Sequence, residues 1–121
     1  MQNNKKIELY DTTLRDGTQQ SGVNLSLEEK ILITKKLDEL GVDFIEGGFA
    51  GSNPKDDEYF KRVKKLNLKN SKIISFGQTR KPNIKIEKDI FINALLSANT
   101  DYVALVGKAS AYQAEKIVKT S

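Results

Sequence analysis

With 121 residues, of which 38% are apolar and 30% charged, the chain has room for one domain and the make-up of a folded globular protein rather than a disordered one. It contains neither cysteine nor histidine, which excludes disulfides, thiolate or imidazole metal sites, cysteine nucleophiles and Ser-His-Asp triads built from these residues alone. The net charge is +4, but the densest basic group, Lys61, Arg62, Lys64 and Lys65, has no interleaved aromatics to stack on bases and reads as a solvated helix face, not a nucleic-acid surface.

Met1–Lys6 is too polar for a signal peptide, and no later apolar run approaches the roughly 20 residues of a membrane span. Ile7–Tyr10 alternates as a strand does and stops at the polar loop Asp11-Thr12-Thr13-Leu14-Arg15-Asp16-Gly17. Ser26 and Glu29 have the spacing of a capping box, Ile31, Leu37 and Leu40 share a helical face, and Gly41 follows as a stop. A helix is expected from about Leu27 to Leu40. Val42–Glu46 reads as a second strand, closed by Gly47-Gly48. Pro54 suits a first helical position, Asp56, Asp57 and Glu58 suit the positive end of the helix dipole, and Tyr59, Phe60, Val63 and Leu66 form an apolar face. A third strand is expected at Lys72–Phe76 and a polar loop over Gly77–Lys85. A third helix holds Ile90, Ala94 and Leu95, with Phe91 alongside, then come a fourth strand at Tyr102–Val106 and a helical tail near Ala111–Lys119.

Strands therefore recur about every 30 residues with a helix between each pair, the pattern of βα units on a parallel sheet. Two architectures fit: a doubly wound open sheet, or four units amounting to the N-terminal half of a (β/α)₈ barrel. In both, functional groups gather where strands end. Those positions hold Arg15, Asp16, Gln19 and Gln20 after strand one, Glu46 after strand two, Gln78, Thr79 and Arg80 after strand three, and Gly107, Lys108 and Ser110 after strand four. An aspartate there can ligate a hard cation, and an arginine can bind a carboxylate or a developing oxyanion. Because neighbours on an extended segment point to opposite sides, Arg15 and Asp16 are expected to find separate partners. Glu46 is expected to face the mouth of the sheet. The glycines at Gly47, Gly48 and Gly51 either allow tight turns or expose backbone amides to an anion.

The run Asp11-Thr12-Thr13-Leu14-Arg15-Asp16-Gly17, with Gln19 beyond it, resembles the opening motif of the metal-dependent acyl-transferring barrels that include 2-isopropylmalate, homocitrate and citramalate synthases. Glu46-Gly47-Gly48-Phe49-Ala50-Gly51-Ser52-Asn53-Pro54-Lys55-Asp56, Phe76-Gly77-Gln78-Thr79-Arg80 and Val106-Gly107-Lys108-Ala109-Ser110 are similar to the citramalate type. The resemblance runs from about Ile7 to Ser121. It implies an α/β fold, part of a (β/α)₈ catalytic domain, and a cytoplasmic, homo-oligomeric enzyme that condenses acetyl-CoA with a 2-oxo acid, here pyruvate, to give citramalate. A 2-isopropylmalate or homocitrate synthase-type enzyme is the alternative. By matching positions it implies Asp16 as ligand to a divalent ion (magnesium, manganese or zinc), Arg15 as the catalytic cation at the keto oxygen, and Gln19, Glu46 and Arg80 with Arg15 at the substrate. Ala50 stands where the family often has proline, and the family's His-x-His pair of metal ligands has no counterpart. Residues 1–121 are accordingly expected to be the N-terminal part of a longer catalytic domain, inactive alone. The competing expectations are a noncatalytic half-barrel that assembles with another chain and a small open-sheet protein that binds a phosphate-bearing ligand.

Overall fold

The computed structural model describes residues 5–119; the first four residues of the Met1–Lys6 segment and the Thr120-Ser121 end lie outside the described residues. Strands β1 (Tyr10–Asp11), β2 (Phe44–Phe49), β3 (Lys72–Gln78) and β4 (Tyr102–Val106) alternate with helices α1 (Leu27–Glu39), α2 (Pro54–Val63) and α3 (Ile90–Ala98). A last segment, α4, is a single α-turn at Ala111–Gln113 that widens into a π-turn over Ala114–Val118. All neighbouring strands are parallel, and their order in space, β1-β2-β3-β4, is their order in the chain. A doubly wound sheet reverses direction at a switch point, whereas a barrel keeps winding one way with its helices outside. The unreversed order makes this an α/β fold arranged as half of a (β/α)₈ barrel.

Local chemistry sets the helix limits. The capping box forms: Glu29 N–H donates to Ser26 Oγ at 3.2 Å, and Ser26 N–H donates to the Glu29 carboxylate at 2.7 Å. Gly41, at φ +84°, takes the left-handed conformation that stops α1. Asn53 caps α2 ahead of Pro54, and Asp89 caps α3. The helices bury Ile45 and Ile73 of the sheet against Tyr59, Phe60, Val63 and Leu95.

Several expected boundaries move. Strand one is only Tyr10–Asp11, because only these residues find ladder partners, at Phe44 and Ile45, while Ile7 and Leu9 stay exposed at the sheet edge. Strand two starts later and runs through Gly47-Gly48, with a register irregularity between Glu46 and Gly48. These glycines admit α2: a Cβ on Gly47 would lie 2.2 Å from Tyr59 Cε1, and one on Gly48 would lie 2.7 Å from Asp56 Cγ. Strand three likewise continues to Gln78. Leu40, expected on the same helical face as Ile31, is exposed. In place of Leu40, α1 buries Lys30, Ile31, Thr34 and Asp38. Each of the three polar side chains has a partner. Lys30 Nζ reaches Asp56 at 2.6 Å, Thr34 Oγ1 meets Tyr59 OH at 2.8 Å, and Asp38 accepts from the amides of Lys69, Asn70 and Ser71.

Candidate active site

On the face of the sheet away from the helices, side chains alternate along each strand. Tyr10, Phe44 and Tyr102 form a ring-to-ring row across β1, β2 and β4, with centroids 6.2 and 5.5 Å apart. One step toward the strands' C-terminal ends lie Glu46 and Phe76, and over them sits Arg15.

Glu46 is 3% exposed and holds both neighbours: Arg15 Nε–H donates to one carboxylate oxygen and the Tyr10 hydroxyl donates to the other. The Arg15 guanidinium carbon lies 4.0 Å above the centre of the Phe76 ring, a cation–π contact that fixes the plane of the fork. Its Nη1 is 3.3 Å from Gln19 Oε1 and 3.5 Å from Asp16 Oδ1, while Nη2 makes no protein hydrogen bond among the described residues. Partial burial of the Tyr10 hydroxyl, followed by the Glu46 carboxylate it faces, pushes the phenol well above its usual range, with Arg15 acting the other way. Tyr10 therefore stays protonated as a donor.

Arg15, Asp16, Gln19 and Glu46 thus come together at one mouth. Arg15 and Asp16 do meet, against expectation, because the loop is not extended. Arg15, Asp16 and Gly17 N–H all return to Thr12 C=O, and Asp16 has helical angles. The contact is long, and Asp16 remains two-thirds exposed, so Glu46 is the principal partner of Arg15. Arg80 lies apart. It donates to the Ile84 carbonyl and lines a separate cavity of about 520 Å³ with Gln78, Thr79 and Lys108. The glycine-loop amides are not open to an anion: Asp56 accepts from Phe49 N–H and Asp57 from Gly51 N–H, both at 2.9 Å.

A divalent ion fits this donor set only in part. No three ligating side chains converge among the described residues, Glu46 is occupied on both oxygens, and Asp11 turns its carboxylate onto Thr13. Asp16 can give one oxygen ligand, and one carboxylate does not make a metal centre.

Sequence reasoning did not single out Tyr10 or Lys30. The signal for Tyr10 was its place one residue before the Asp11–Gly17 motif. For Lys30 it was the stripe of Lys30, Thr34 and Asp38 at four-residue spacing, a buried face written in polar residues.

A family model described as HMGL-like matches residues 6–121. The chain belongs to the HMGL-like family. It is 45% identical to an (R)-citramalate synthase of Aquifex aeolicus over 117 residues, 97% of this chain and 22% of that protein. It is 44% identical to the (R)-citramalate synthase of Sulfolobus acidocaldarius over the same shares. A probable 2-isopropylmalate synthase of Archaeoglobus fulgidus is 41% identical over 115 residues, 95% of this chain and 21% of that protein. This HMGL-like chain therefore spans about a fifth of the length of these curated relatives. Among its described residues no helix is long and apolar enough to cross a membrane.

Proposed function

We propose that residues 1–121 form the N-terminal part of a barrel catalytic domain in a cytoplasmic, homo-oligomeric enzyme that condenses acetyl-CoA with a 2-oxo acid. Pyruvate is the proposed acceptor and citramalate the product. The observation that carries this reading is the Arg15 guanidinium, held by Glu46 and Phe76 with Nη2 unpaired among the described residues at the strand ends. Carbon–carbon bond formation at a keto group places negative charge on the keto oxygen. A cation fixed beforehand stabilises that charge without reorganising during the reaction.

In this account Arg15 binds the acceptor and steadies its oxygen, so it is the catalytic residue of the chain. Glu46 and Tyr10 keep the fork oriented, and Gln19 lies beside Nη1 to fix the acceptor's orientation. Arg80 is proposed at the outer part of the substrate site, in its own cavity. Asp16 is proposed as one ligand of a divalent magnesium, manganese or zinc ion whose other ligands lie outside this donor set. Support for pyruvate over a larger acceptor comes from the relatives named (R)-citramalate synthase, which match nearly the whole chain.

The test is release of free CoA from acetyl-CoA by the enzyme that carries this chain, offered pyruvate, 2-oxoisovalerate or 2-oxoglutarate in separate reactions. Release that is fastest with pyruvate, by about tenfold in kcat/KM or more, is the expected result. Preference for 2-oxoisovalerate would move the assignment to the 2-isopropylmalate type, and no acetyl-CoA dependence with any acceptor would overturn the reading.

A further inference from the structure

Lys30 is 2% exposed, deep between α1 and α2, with Nζ 2.6 Å from Asp56 Oδ1 and 4.8 Å from the centre of the Tyr59 ring. Burying an ammonium is costly, and well-packed apolar residues usually stabilise a fold as well as a buried ion pair does. Stability alone therefore gives no reason for this one. Apolar residues could not supply the other oxygen of Asp56. Oδ2 accepts the Phe49 backbone N–H at 2.9 Å, and the missing side chain of Gly48 lets the carboxylate lie against the strand. Phe49 is the last residue of β2, three beyond Glu46. Its ring packs edge-on to Phe76, with centroids 5.2 Å apart and planes at 73°. The Phe76 ring is the surface on which Arg15 rests.

We propose that Lys30 and Asp56 are positioning residues for Arg15: the pair fixes the end of β2 at Phe49, Phe49 fixes the Phe76 ring, and the ring sets the plane of the guanidinium. Neither residue touches the mouth, and each acts through a contact already in place. Lys30 has a definite part in this. Without its ammonium, the Asp56 carboxylate is left partly buried and unpaired. It then turns toward water and releases Phe49 N–H. The proposal rests on reading Arg15 as the acceptor-binding cation, and its test separates the two.

The Arg15 Nε–H proton, donated to buried Glu46, gives a side-chain NMR signal whose exchange with water reports how firmly the fork is held. In the intact protein, Lys30→Met is expected to speed that exchange and weaken pyruvate binding, each by about tenfold, while the core backbone amides keep their native shifts. Phe49→Leu, which leaves the ion pair in place, is expected to do the same. Lys30→Met combined with Asp56→Asn keeps a neutral acceptor for Phe49 N–H and is expected to restore slow exchange. An unchanged Arg15 signal in folded Lys30→Met overturns the proposal. If that variant does not fold, an unchanged signal in Phe49→Leu overturns it instead. Fast exchange with native pyruvate affinity would leave the positioning in place and overturn the role of Arg15 in binding. Weak binding with a native Arg15 signal would overturn the positioning.

Discussion

The Arg15 guanidinium gives one N–H to Glu46 and lies against Phe76, so its direction is fixed while Nη2 stays available at the mouth. Asp16, two-thirds exposed and 3.5 Å from Nη1, is too loosely tied to that fork for the two residues to act as one. Arg15→Ala is therefore expected to slow condensation by about a hundredfold or more and to leave metal affinity nearly intact. Asp16→Ala should weaken metal binding. Titrating manganese into both variants, beside an assay of CoA release, tests the division; equal losses of affinity would refute it. Tyr10→Phe asks a smaller question. It deprives one Glu46 oxygen of its donor at a half-open position, so a loss of about 1 kcal/mol in denaturant unfolding is expected, with Arg15 less firmly held.

At the scale of elements, the joint between α1 and β3 depends on Asp38. Burial by itself would push this carboxyl upward, but the amides of Lys69, Asn70 and Ser71 outweigh it and hold the group below the ordinary aspartate range. Asp89, at the start of α3, is held low chiefly by the Lys81 amide, with Ile92 and Phe91 adding to it against burial. For a depressed carboxyl the stabilisation is fully present above the unfolded value, about 3.9, and is lost as pH falls through the lower folded value. Stability should thus hold from neutrality down to about pH 4 and fall below it. Asp38→Asn should remove part of that fall in acid denaturation followed by circular dichroism. The close approach of α2 to β2 makes another demand. Gly47→Ala would put a methyl 2.2 Å from Tyr59, and a loss of about 3 kcal/mol in thermal or denaturant unfolding is expected.

For the whole molecule, the two ends of the sheet matter most. Among the described residues β1 pairs only with β2 and β4 only with β3, and Tyr102, Val103, Leu105 and Val106 leave β4 exposed on both faces. Unpaired strands of this kind seek partners. Residues 1–121 produced alone are expected to self-associate, as light scattering would show, and to release no CoA from acetyl-CoA with pyruvate and manganese. Leu105→Lys should reduce the association without restoring turnover. A stable monomer with robust turnover would overturn the placement of these residues in a larger catalytic domain.

Much of the architecture was legible in the chain because it rests on local chemistry. The Ser26/Glu29 box, Gly41, Asn53-Pro54 and Asp89 set helix limits through contacts a few residues apart, and four strands about 30 residues apart announced βα units. The Asp11–Gly17 motif likewise marked Arg15 and Asp16 before any fold was known. Other features depended on long-range partners and could not be read locally. Strand one shrank to Tyr10–Asp11 because only β2 decides which of its residues form ladder bonds. Gly47 and Gly48 looked like a strand's end, and it is α2 that makes them its middle. Lys30, Thr34 and Asp38 carry no local sign of burial; Asp56, Tyr59 and the amides at residues 69–71 are what bury them. Burial of polar groups is allowed only where partners converge, and convergence across 25 to 33 residues of chain is a property of tertiary structure.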